Sequence, residues 1–292
     1  MIGGIDLGGT RVRLAVASAD GAITGSLRAA TPSLGGPEGF IRWAVAGFEA
    51  LARGERLRLV GIGAPGPCDP VSGYLINPPN LAGWRRNLPL APMLSTALGV
   101  PVTLENDANV AGLGEYMRGA GRGARSLVYV TWSTGIGAGL ILDGRLYSGA
   151  HGTAGEIGHM ILDPQGPLCA CGMHGCTEAY ASGTSIARLT GRSAVDVFAA
   201  AAAGDRAMLA VVEAAAAKVG LALLNLTNLI DPDVIVVGGG ITNSWKLVSK
   251  GLREPIRSSP FVTPSRRPKV LRAALGRDVG LVGAVEWARA NL

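Results

Sequence analysis

Residues 156–178 read EIGHMILDPQGPLCACGMHGCTE, a short segment punctuated by Gly and Pro. It supplies an imidazole from His159 and three thiolates from Cys169, Cys171 and Cys176, which make a complete tetrahedral ligand set for zinc. Such a set leaves no coordination position for water, so the sequence predicts a structural zinc and argues against a zinc hydrolase. A disulfide is the alternative, but the close spacing of Cys169 and Cys171 favours chelation.

The pattern EIGH at 156–159 followed by CACGMHGCTE at 169–178 resembles the zinc-containing signature of the ROK family, which comprises sugar kinases and sugar-responsive repressors. The resemblance implies that the His and the three Cys bind zinc. It also implies that Glu156, His159 and Glu178 face a sugar. One ring nitrogen of His159 can hold the metal while the other is aimed at a sugar hydroxyl.

The composition is that of a compact protein with a real core. The chain has 292 residues, of which 48% are hydrophobic and 16% charged, enough for one large domain or two modest ones. The sequence suggests no membrane span and no secretory signal, so we expect a cytoplasmic protein without a membrane partner. The net charge is +6, but the arginines look scattered, so we expect anionic phosphate substrates and no nucleic acid.

The N-terminal residues predict a β-hairpin, with strands at 2–6 and 11–17 joined by a Gly-Gly turn. Asp6 ends an otherwise apolar strand, where a carboxylate indicates a bound cation such as nucleotide-associated Mg²⁺. A plain structural hairpin is the alternative. We predict that the turn binds phosphate through Asp6, Gly8, Gly9, Thr10 and Arg11.

The same pattern recurs at 128–131 and 136–142, where two apolar strands flank the turn Ser133-Thr134-Gly135. Two such hairpins resemble the actin–hexokinase–Hsp70 superfamily, to which ROK proteins belong. The fold implied is α/β, a two-lobed actin-like ATPase (ribonuclease H-like) fold with a zinc-bound loop in the second lobe. Thr134, Gly135 and Gly137 would then meet nucleotide phosphates.

Polar residues crowd the corner between a predicted strand at 100–104 and a helix that runs to about Arg118. The stretch Glu105-Asn106-Asp107-Ala108-Asn109 could serve only as a helix cap, yet one cap would suffice. Resemblance to ROK kinases implies that Asp107 is the general base and that Asn106 contacts the sugar. A loop at 77–84 resembles one in ROK glucokinases and implies a sugar contact at Asn80.

The C-terminal third predicts helices at 194–203 and 207–230, strands at 233–237 and 269–274, and a last helix at 279–290. Gly238, Gly239 and Gly240 follow a buried strand, where glycines let a ligand approach the backbone, and the family places adenosine there. We predict a small lobe at 1–106 joined by 279–292, a large lobe at 107–278, and a site in the cleft between them.

The resemblance to the ROK family covers nearly the whole chain and implies an ATP- and Mg²⁺-dependent hexose kinase, with a glucokinase acting on the 6-hydroxyl of glucose as the first expectation. Fructose, mannose or N-acetylmannosamine remain alternative sugars, and polyphosphate an alternative donor. A sugar-responsive regulator is the alternative from another class, but no helix-turn-helix precedes the first strand. Cys68 has no partner in the sequence and is interpreted as structural or incidental. ROK relatives imply a homodimer or homotetramer.

Overall fold

The computed structural model describes residues 1–78, 80–81 and 83–292. The strands are β1 (Ile2–Leu7), β2 (Arg11–Ala17), β3 (Ile23–Ala30), β4 (Leu59–Ala64), β5 (Cys68–Asp69), β6 (Tyr74–Leu75), β7 (Val102–Asn106), β8 (Leu127–Trp132), β9 (Ile136–Leu142), β10 (Arg145–Leu146), β11 (Val234–Gly238) and β12 (Lys269–Arg272). The α-helices are α1 (Pro37–Ala52), α2 (Leu90–Leu98), α3 (Asp107–Arg118), α4 (Thr177–Ala181), α5 (Gly183–Thr190), α6 (Ala194–Ala202), α7 (Arg206–Ile230), α8 (Trp245–Ser258) and α9 (Val279–Ala290). Short 3₁₀ helices lie at Thr31–Leu34, Ile157–His159, Gly240–Ser244, Pro264–Arg266 and Gly276–Asp278.

The chain divides into two compact units. Unit 1 contains Met1–Arg122, Leu146–Ala154 and Arg277–Leu292, and unit 2 contains Gly123–Arg145 and Gly155–Gly276. The predicted boundary at residue 106 falls at the start of α3, but α3 packs against α9, which keeps that helix in unit 1. The C-terminal helix α9 belongs to unit 1, and the lobe boundaries stay a prediction.

Unit 1 is built on a five-stranded sheet of order β3-β2-β1-β4-β7. β1 is antiparallel to β2 and parallel to β4, and β4 is parallel to β7. Helix α9 packs on this sheet. The helix comes close to β4 at Gly61, where a Cβ would lie only 2.3 Å from the carbonyl oxygen of Ala284 in α9. Phe40 and Phe48 of α1 are fully buried, so the hydrophobic core lies between α1 and the sheet.

Unit 2 repeats this architecture, with a sheet of order β10-β9-β8-β11-β12. β8 is antiparallel to β9 and parallel to β11, and β11 is parallel to β12. In both sheets, the first strand (β1 or β8) pairs with an antiparallel hairpin partner on one side and with a parallel strand (β4 or β11) on the other. The two hairpins predicted from the sequence are therefore confirmed, and each begins one half of a duplicated α/β fold.

Helix α7 corrects one expectation from the sequence. Its 25 residues are long and apolar enough to cross a membrane by length and composition, although no such run was expected. Core helices of globular proteins pass the same test, and α7 packs against α4, α6 and α8. Val212, Ala216, Val219 and Leu223 on its inner face are fully buried. These contacts account for the apolar residues on that face, whereas Leu221 and Leu229 of the same helix are exposed.

Some elements differ from the sequence predictions. β7 continues through Glu105 and Asn106, so these residues end a strand instead of forming the turn. Strand β3 was not predicted, because its residues are exposed or half-buried and carry no apolar alternation. Helix α2 was also missed.

Candidate active site

Internal hydrogen bonds hold the turn between β1 and β2, where the sequence predicts a phosphate site. The N–H of Gly8 donates to the carbonyl of Arg11 at 2.9 Å, and the hydroxyl of Thr31 donates to the carbonyl of Gly8 at 2.7 Å. A Cβ on Gly9 would lie 2.1 Å from the carbonyl oxygen of Asn80, so only glycine permits this approach. The turn and the Asn80 loop are therefore in direct contact.

Asp6 is fixed by an ion pair. Arg13 donates from Nη2 and Nε to Oδ2 of Asp6 at 2.6 and 3.1 Å, and its Nη1 donates to Asp278 at 3.1 Å. A Cβ on Gly280 would lie 2.7 Å from Oδ1 of Asp6, so the carboxylate packs against the start of α9. The role of Asp6 toward Mg²⁺ stays a prediction.

Asn106 is the cap of helix α3. Its Oδ1 accepts from the N–H groups of Ala108 and Asn109 at 2.8 and 3.3 Å, as the capping alternative requires. Asp107 is the first residue of the helix, half-buried, and its Oδ1 accepts from the N–H of Ala108 at 2.8 Å. Because Asn106 already caps the helix, the carboxylate of Asp107 is not needed for that purpose.

Glu105 is a site residue that the sequence analysis missed. Its side chain has no solvent exposure and accepts three hydrogen bonds, from the N–H of Asn106 at 2.8 Å, from Nδ2 of Asn109 at 2.9 Å and from the hydroxyl of Ser148 at 2.8 Å. No Lys or Arg in the described part of the chain forms a salt bridge with it. Glu105 thus ties the corner to the segment that leads to Glu156.

The loop at 77–84 is described only in part, because Pro79 and Ala82 lie outside the described residues. Asn80 is exposed. Trp84 anchors the loop by packing its ring against Phe40, with ring centroids 5.6 Å apart. The loop therefore has a rigid base, and the sugar contact of Asn80 stays a prediction.

Cys68 lies near Glu105 and Asp107. Burial raises the pKa of its thiol, and the negative charges of Glu105, Asp107 and Asp69 raise it further. A Cβ on Gly152 would lie 2.9 Å from the carbonyl oxygen of Cys68, so the segment carrying Ser148 passes over this residue. The thiol is therefore protonated at neutral pH, in line with its predicted structural role.

The second hairpin turn is supported by Glu178. The N–H of Ser133 donates to the carbonyl of Gly135 at 2.9 Å, and Oε2 of Glu178 accepts from the N–H of Ile136 at 2.8 Å. A Cβ on Gly135 would lie 2.8 Å from the same oxygen. The carboxylate of Glu178, which is predicted to bind sugar, therefore also holds the turn of the predicted phosphate hairpin from its position on α4.

Glu156 precedes a short 3₁₀ helix that ends at His159 and packs against β9. A Cβ on Gly158 would lie 2.2 Å from the carbonyl oxygen of Ile136 and 3.4 Å from Oε2 of Glu178. Both Glu156 and His159 are exposed. The structure thus brings these two residues and Glu178 together around one end of β9.

The triple glycine borders a cavity within unit 2. Strand β11 ends at Gly238, and Gly239 has a φ of 89°, which favours glycine. A cavity of about 700 Å³ follows, largely apolar and within the size range of small-molecule sites. Its lining includes Thr134, Thr184, Phe198, Gly240 and Ile241. Thr134 of the predicted phosphate turn and Gly240 of the predicted adenosine segment therefore line one cavity, whereas Gly135, Gly137, Gly238 and Gly239 are not part of its lining.

The four predicted zinc ligands come together. Their ligand atoms all lie within 4.8 Å of one another, with Nδ1 of His159 3.8 Å from Sγ of Cys169 and Sγ of Cys171 3.7 Å from Sγ of Cys176. Tetrahedral zinc with Zn–S bonds of about 2.3 Å requires sulfur atoms about 3.8 Å apart. The residues fit zinc.

Backbone hydrogen bonds shape the metal loop. The N–H of Cys169 donates to the carbonyl of Met173 at 2.8 Å, and the N–H of Gly172 donates to the carbonyl of Cys169 at 3.0 Å. Gly175 has a φ of 75°, and a Cβ there would lie 1.6 Å from the carbonyl oxygen of Asp163. Only glycine fits at that position. The second imidazole of the segment, His174, hydrogen-bonds the carbonyl of Gly166 instead.

The thiols differ in acidity. A hydrogen bond from the N–H of Met173 and the neighbouring Cys and His side chains lower the pKa of Cys171 to about 7. Burial and the neighbouring thiols raise the pKa of Cys176 to about 12. Three thiolates this close repel one another, which a bound divalent cation relieves.

Comparison with known proteins identifies the family. The sequence profile of the ROK family matches residues 2–291. The chain belongs to the ROK family. A glucokinase from Thermotoga maritima is 34% identical over 303 residues, covering 96% of this chain and 95% of the relative. The ROK hexokinase from Thermus thermophilus superposes with a TM-score of 0.87 at 35% identity, covering 99% and 98% of the two chains.

A second ROK structure shows ligands. The ROK glucokinase from Streptomyces griseus, solved in complex with glucose and AMPPNP, has a TM-score of 0.82 and 33% identity and covers 99% of both chains. These likenesses confirm the predicted family and the predicted actin-like ATPase fold.

The remaining predicted residues of this ROK protein lie in turns and strands. Thr10 and Arg11 are exposed next to the first glycine turn. Gly137 pairs with Thr131 between β8 and β9, further from the hairpin tip than Gly135. Ser148 is the other residue that sequence reasoning missed, since nothing local marks a serine that bonds a carboxylate 43 residues away.

Proposed function

We propose that this protein is an ATP-dependent glucokinase, which transfers the γ-phosphoryl group of ATP to the 6-hydroxyl of glucose. Full-length similarity to glucokinases and to a structure holding glucose and AMPPNP supports the reaction class. The observation in this chain that carries the proposal is Asp107, a carboxylate that begins α3 beside a helix cap supplied by another residue.

Six residues bind the sugar in this proposal. Three belong to unit 1: Asn106 and Asp107 at the start of α3, and Asn80 in the loop anchored by Trp84. Three belong to unit 2: the exposed residues Glu156 and His159, and Glu178, whose carboxylate accepts a hydrogen bond from the second hairpin. The set consists of Asn80, Asn106, Asp107, Glu156, His159 and Glu178.

Asp107 acts as the general base. It accepts the proton of the 6-hydroxyl as that oxygen attacks the γ-phosphorus in line, so no covalent enzyme intermediate is required. The N–H groups of Gly8, Ser133 and Ile136 donate within the protein, so other backbone N–H groups of the two glycine turns hold the phosphates in this proposal. The apolar cavity beside Gly240 holds the adenine. Asp6 would hold Mg²⁺, and the bound metal would neutralise the negative charge that develops on the phosphates.

The zinc site supports the sugar site and does not take part in the chemistry. Its four protein ligands complete the coordination shell, and Nδ1 is the nitrogen of His159 nearest Cys169. Nε2 of His159 would then be fixed in direction and available to a sugar hydroxyl.

Asp107→Asn tests the proposal. Asn keeps the shape and an acceptor oxygen but is not basic, so kcat with glucose and ATP should fall about 10²- to 10⁴-fold while sugar binding falls modestly. Asp205→Asn is the matched control, because Asp205 caps α7 by accepting from Ala207 and Met208 and Asn caps equally well.

Near-wild-type turnover of Asp107→Asn would remove this residue from the mechanism. Turnover in the wild type with another hexose, but none with glucose, would correct the substrate and retain the chemistry. A coupled assay over a panel of hexoses separates these outcomes.

A further inference from the structure

Positive charge is concentrated in one segment of unit 2. Residues 246–272 contain eight Lys and Arg residues and one acidic residue, Glu254, which gives a net charge of +7, whereas the whole chain carries +6. The rest of the protein is therefore close to neutral. The expectation that the basic residues are scattered is wrong for this segment.

Helix α8 aligns four of these cations. Lys246, Lys250, Arg253 and Arg257 recur at intervals of four, three and four residues, which places them on one face of the helix. With a rise of 1.5 Å per residue, the row is about 16 Å long. The apolar residues of the helix, Val248, Leu252 and Ile256, are buried against the protein.

The following loop and strand extend this row. Nη2 of Arg267 donates to the carbonyl of Arg257 at 2.9 Å, and Nη2 of Arg253 donates to the carbonyl of Val270 at 2.8 Å. Helix α8 also contacts β12, the edge strand of its sheet, whose exposed cations are Lys269 and Arg272. We call the exposed cations of this surface the basic face: Lys246, Lys250, Arg257, Arg266, Lys269 and Arg272.

The protein itself does not neutralise the basic face. None of its six side chains forms a salt bridge within the part of the chain that the structure describes. The one carboxylate of the segment, Glu254, accepts a hydrogen bond from Ser258. Clustered like charges repel one another and attract an extended polyanion.

An exposed aromatic ring belongs to the same basic segment of the chain. Phe261 belongs to the loop between α8 and β12, between Arg257 and Arg266 in the sequence, and is 88% exposed. Aromatic rings beside a positively charged groove are the platforms on which unpaired bases stack. An anionic membrane is a poorer partner, because the apolar face of α8 is buried and only Phe261 could insert.

We propose that the basic face binds single-stranded RNA, with phosphates along the row on α8 and a base stacked on Phe261. Phosphate charge alone would be satisfied by any polyanion, and the exposed ring is what favours a polymer with bases. RNA is chosen over DNA because single-stranded segments are the form in which RNA is usually recognised.

Fluorescence anisotropy with a labelled 12-residue oligouridylate tests the proposal. The wild-type protein should bind it at 50 mM salt, with a log–log salt slope of about −3 to −4 if about five phosphates are contacted. Lys250→Glu combined with Arg257→Glu should weaken binding at least tenfold. Phe261→Ala should weaken RNA binding about tenfold and leave the binding of inorganic polyphosphate unchanged.

Arg56→Glu combined with Arg206→Glu is the matched control, because it changes the net charge equally at exposed sites outside the basic face. This control should retain RNA binding, and all variants should retain sugar-kinase activity. Equal losses in both double variants would overturn the proposal. It would also fail if Phe261→Ala bound RNA like wild type, if oligothymidylate bound more tightly than oligouridylate, or if anionic vesicles bound and RNA did not.

Discussion

The bond between Ser148 and Glu105 makes a quantitative prediction about stability. Ser148→Ala removes the donor at 2.8 Å from one oxygen of a carboxylate that has no solvent exposure. A hydrogen bond to a charged group contributes about 1.5–3 kcal/mol, and its loss leaves part of the buried charge without a donor. Since Glu105 keeps two other donors, we expect a loss of about 2 kcal/mol in the free energy of unfolding.

Ser72→Ala is the matched control. Ser72 also donates from its hydroxyl to a carboxylate of unit 1, that of Asp69, at 2.6 Å, but both residues of this pair are solvent-accessible. Water can replace that bond, so this variant should unfold at nearly the wild-type urea concentration. Urea unfolding followed by tryptophan fluorescence and by circular dichroism measures both variants under one set of conditions.

A double-mutant cycle with Glu105→Gln isolates the contact. Gln keeps the shape without the charge, so Ser148→Ala should cost clearly less in the Glu105→Gln variant than in the wild type. Because Glu105 also accepts from the N–H of Asn106, next to the proposed base, Ser148→Ala should lower kcat about tenfold. Equal destabilisation by Ser148→Ala and Ser72→Ala, or equal costs in the two backgrounds, would refute this account of Glu105.

Two further predictions concern the cysteines. Purified protein should contain about one zinc per chain, and elemental analysis that finds no zinc would contradict this. Cys171→Ser should lower the melting temperature and weaken glucose binding, because the metal orients His159. Unchanged glucose affinity in a folded metal-free variant would contradict that second expectation. Thiol reagents at pH 7 should leave Cys68 unmodified in the folded protein, because its raised pKa keeps the thiol protonated. Mass spectrometry of the labelled peptides checks this, with chelator-treated Cys171 as the reactive control.

The sequence predicted those parts of the fold that local pattern determines. Apolar alternation around glycine turns marked both hairpins, and the observed strands β2 and β9 have the predicted bounds. The spacing of His159 and three Cys in a Gly-rich loop marked the metal cluster. In each case, the residues that decide the structure are close together in the chain.

The sequence could not predict features that depend on distant residues. The partner of Glu105 lies 43 residues away, and a Glu before an Asn-Asp pair has no pattern that distinguishes a buried acceptor from a surface residue. The basic face was missed for a different reason: the eight cations of residues 246–272 and their helical spacing are visible in the sequence, and only the contact of α8 with β12 depends on the fold.

Strand register explains how two carboxylates with different surroundings come to lie in one row of the sheet. Asp6 of β1 pairs with Gly63 of β4, and Gly63 pairs with Glu105 of β7. All three strands are parallel, so their carboxyl ends meet at the sheet edge where α/β proteins bind ligands. Asp6 is 23% exposed and bound to Arg13, whereas Glu105 is buried and bound only by neutral donors. A cation can therefore reach Asp6 but not Glu105. Glu105 instead stabilises the junction between β7 and α3 through its three hydrogen bonds.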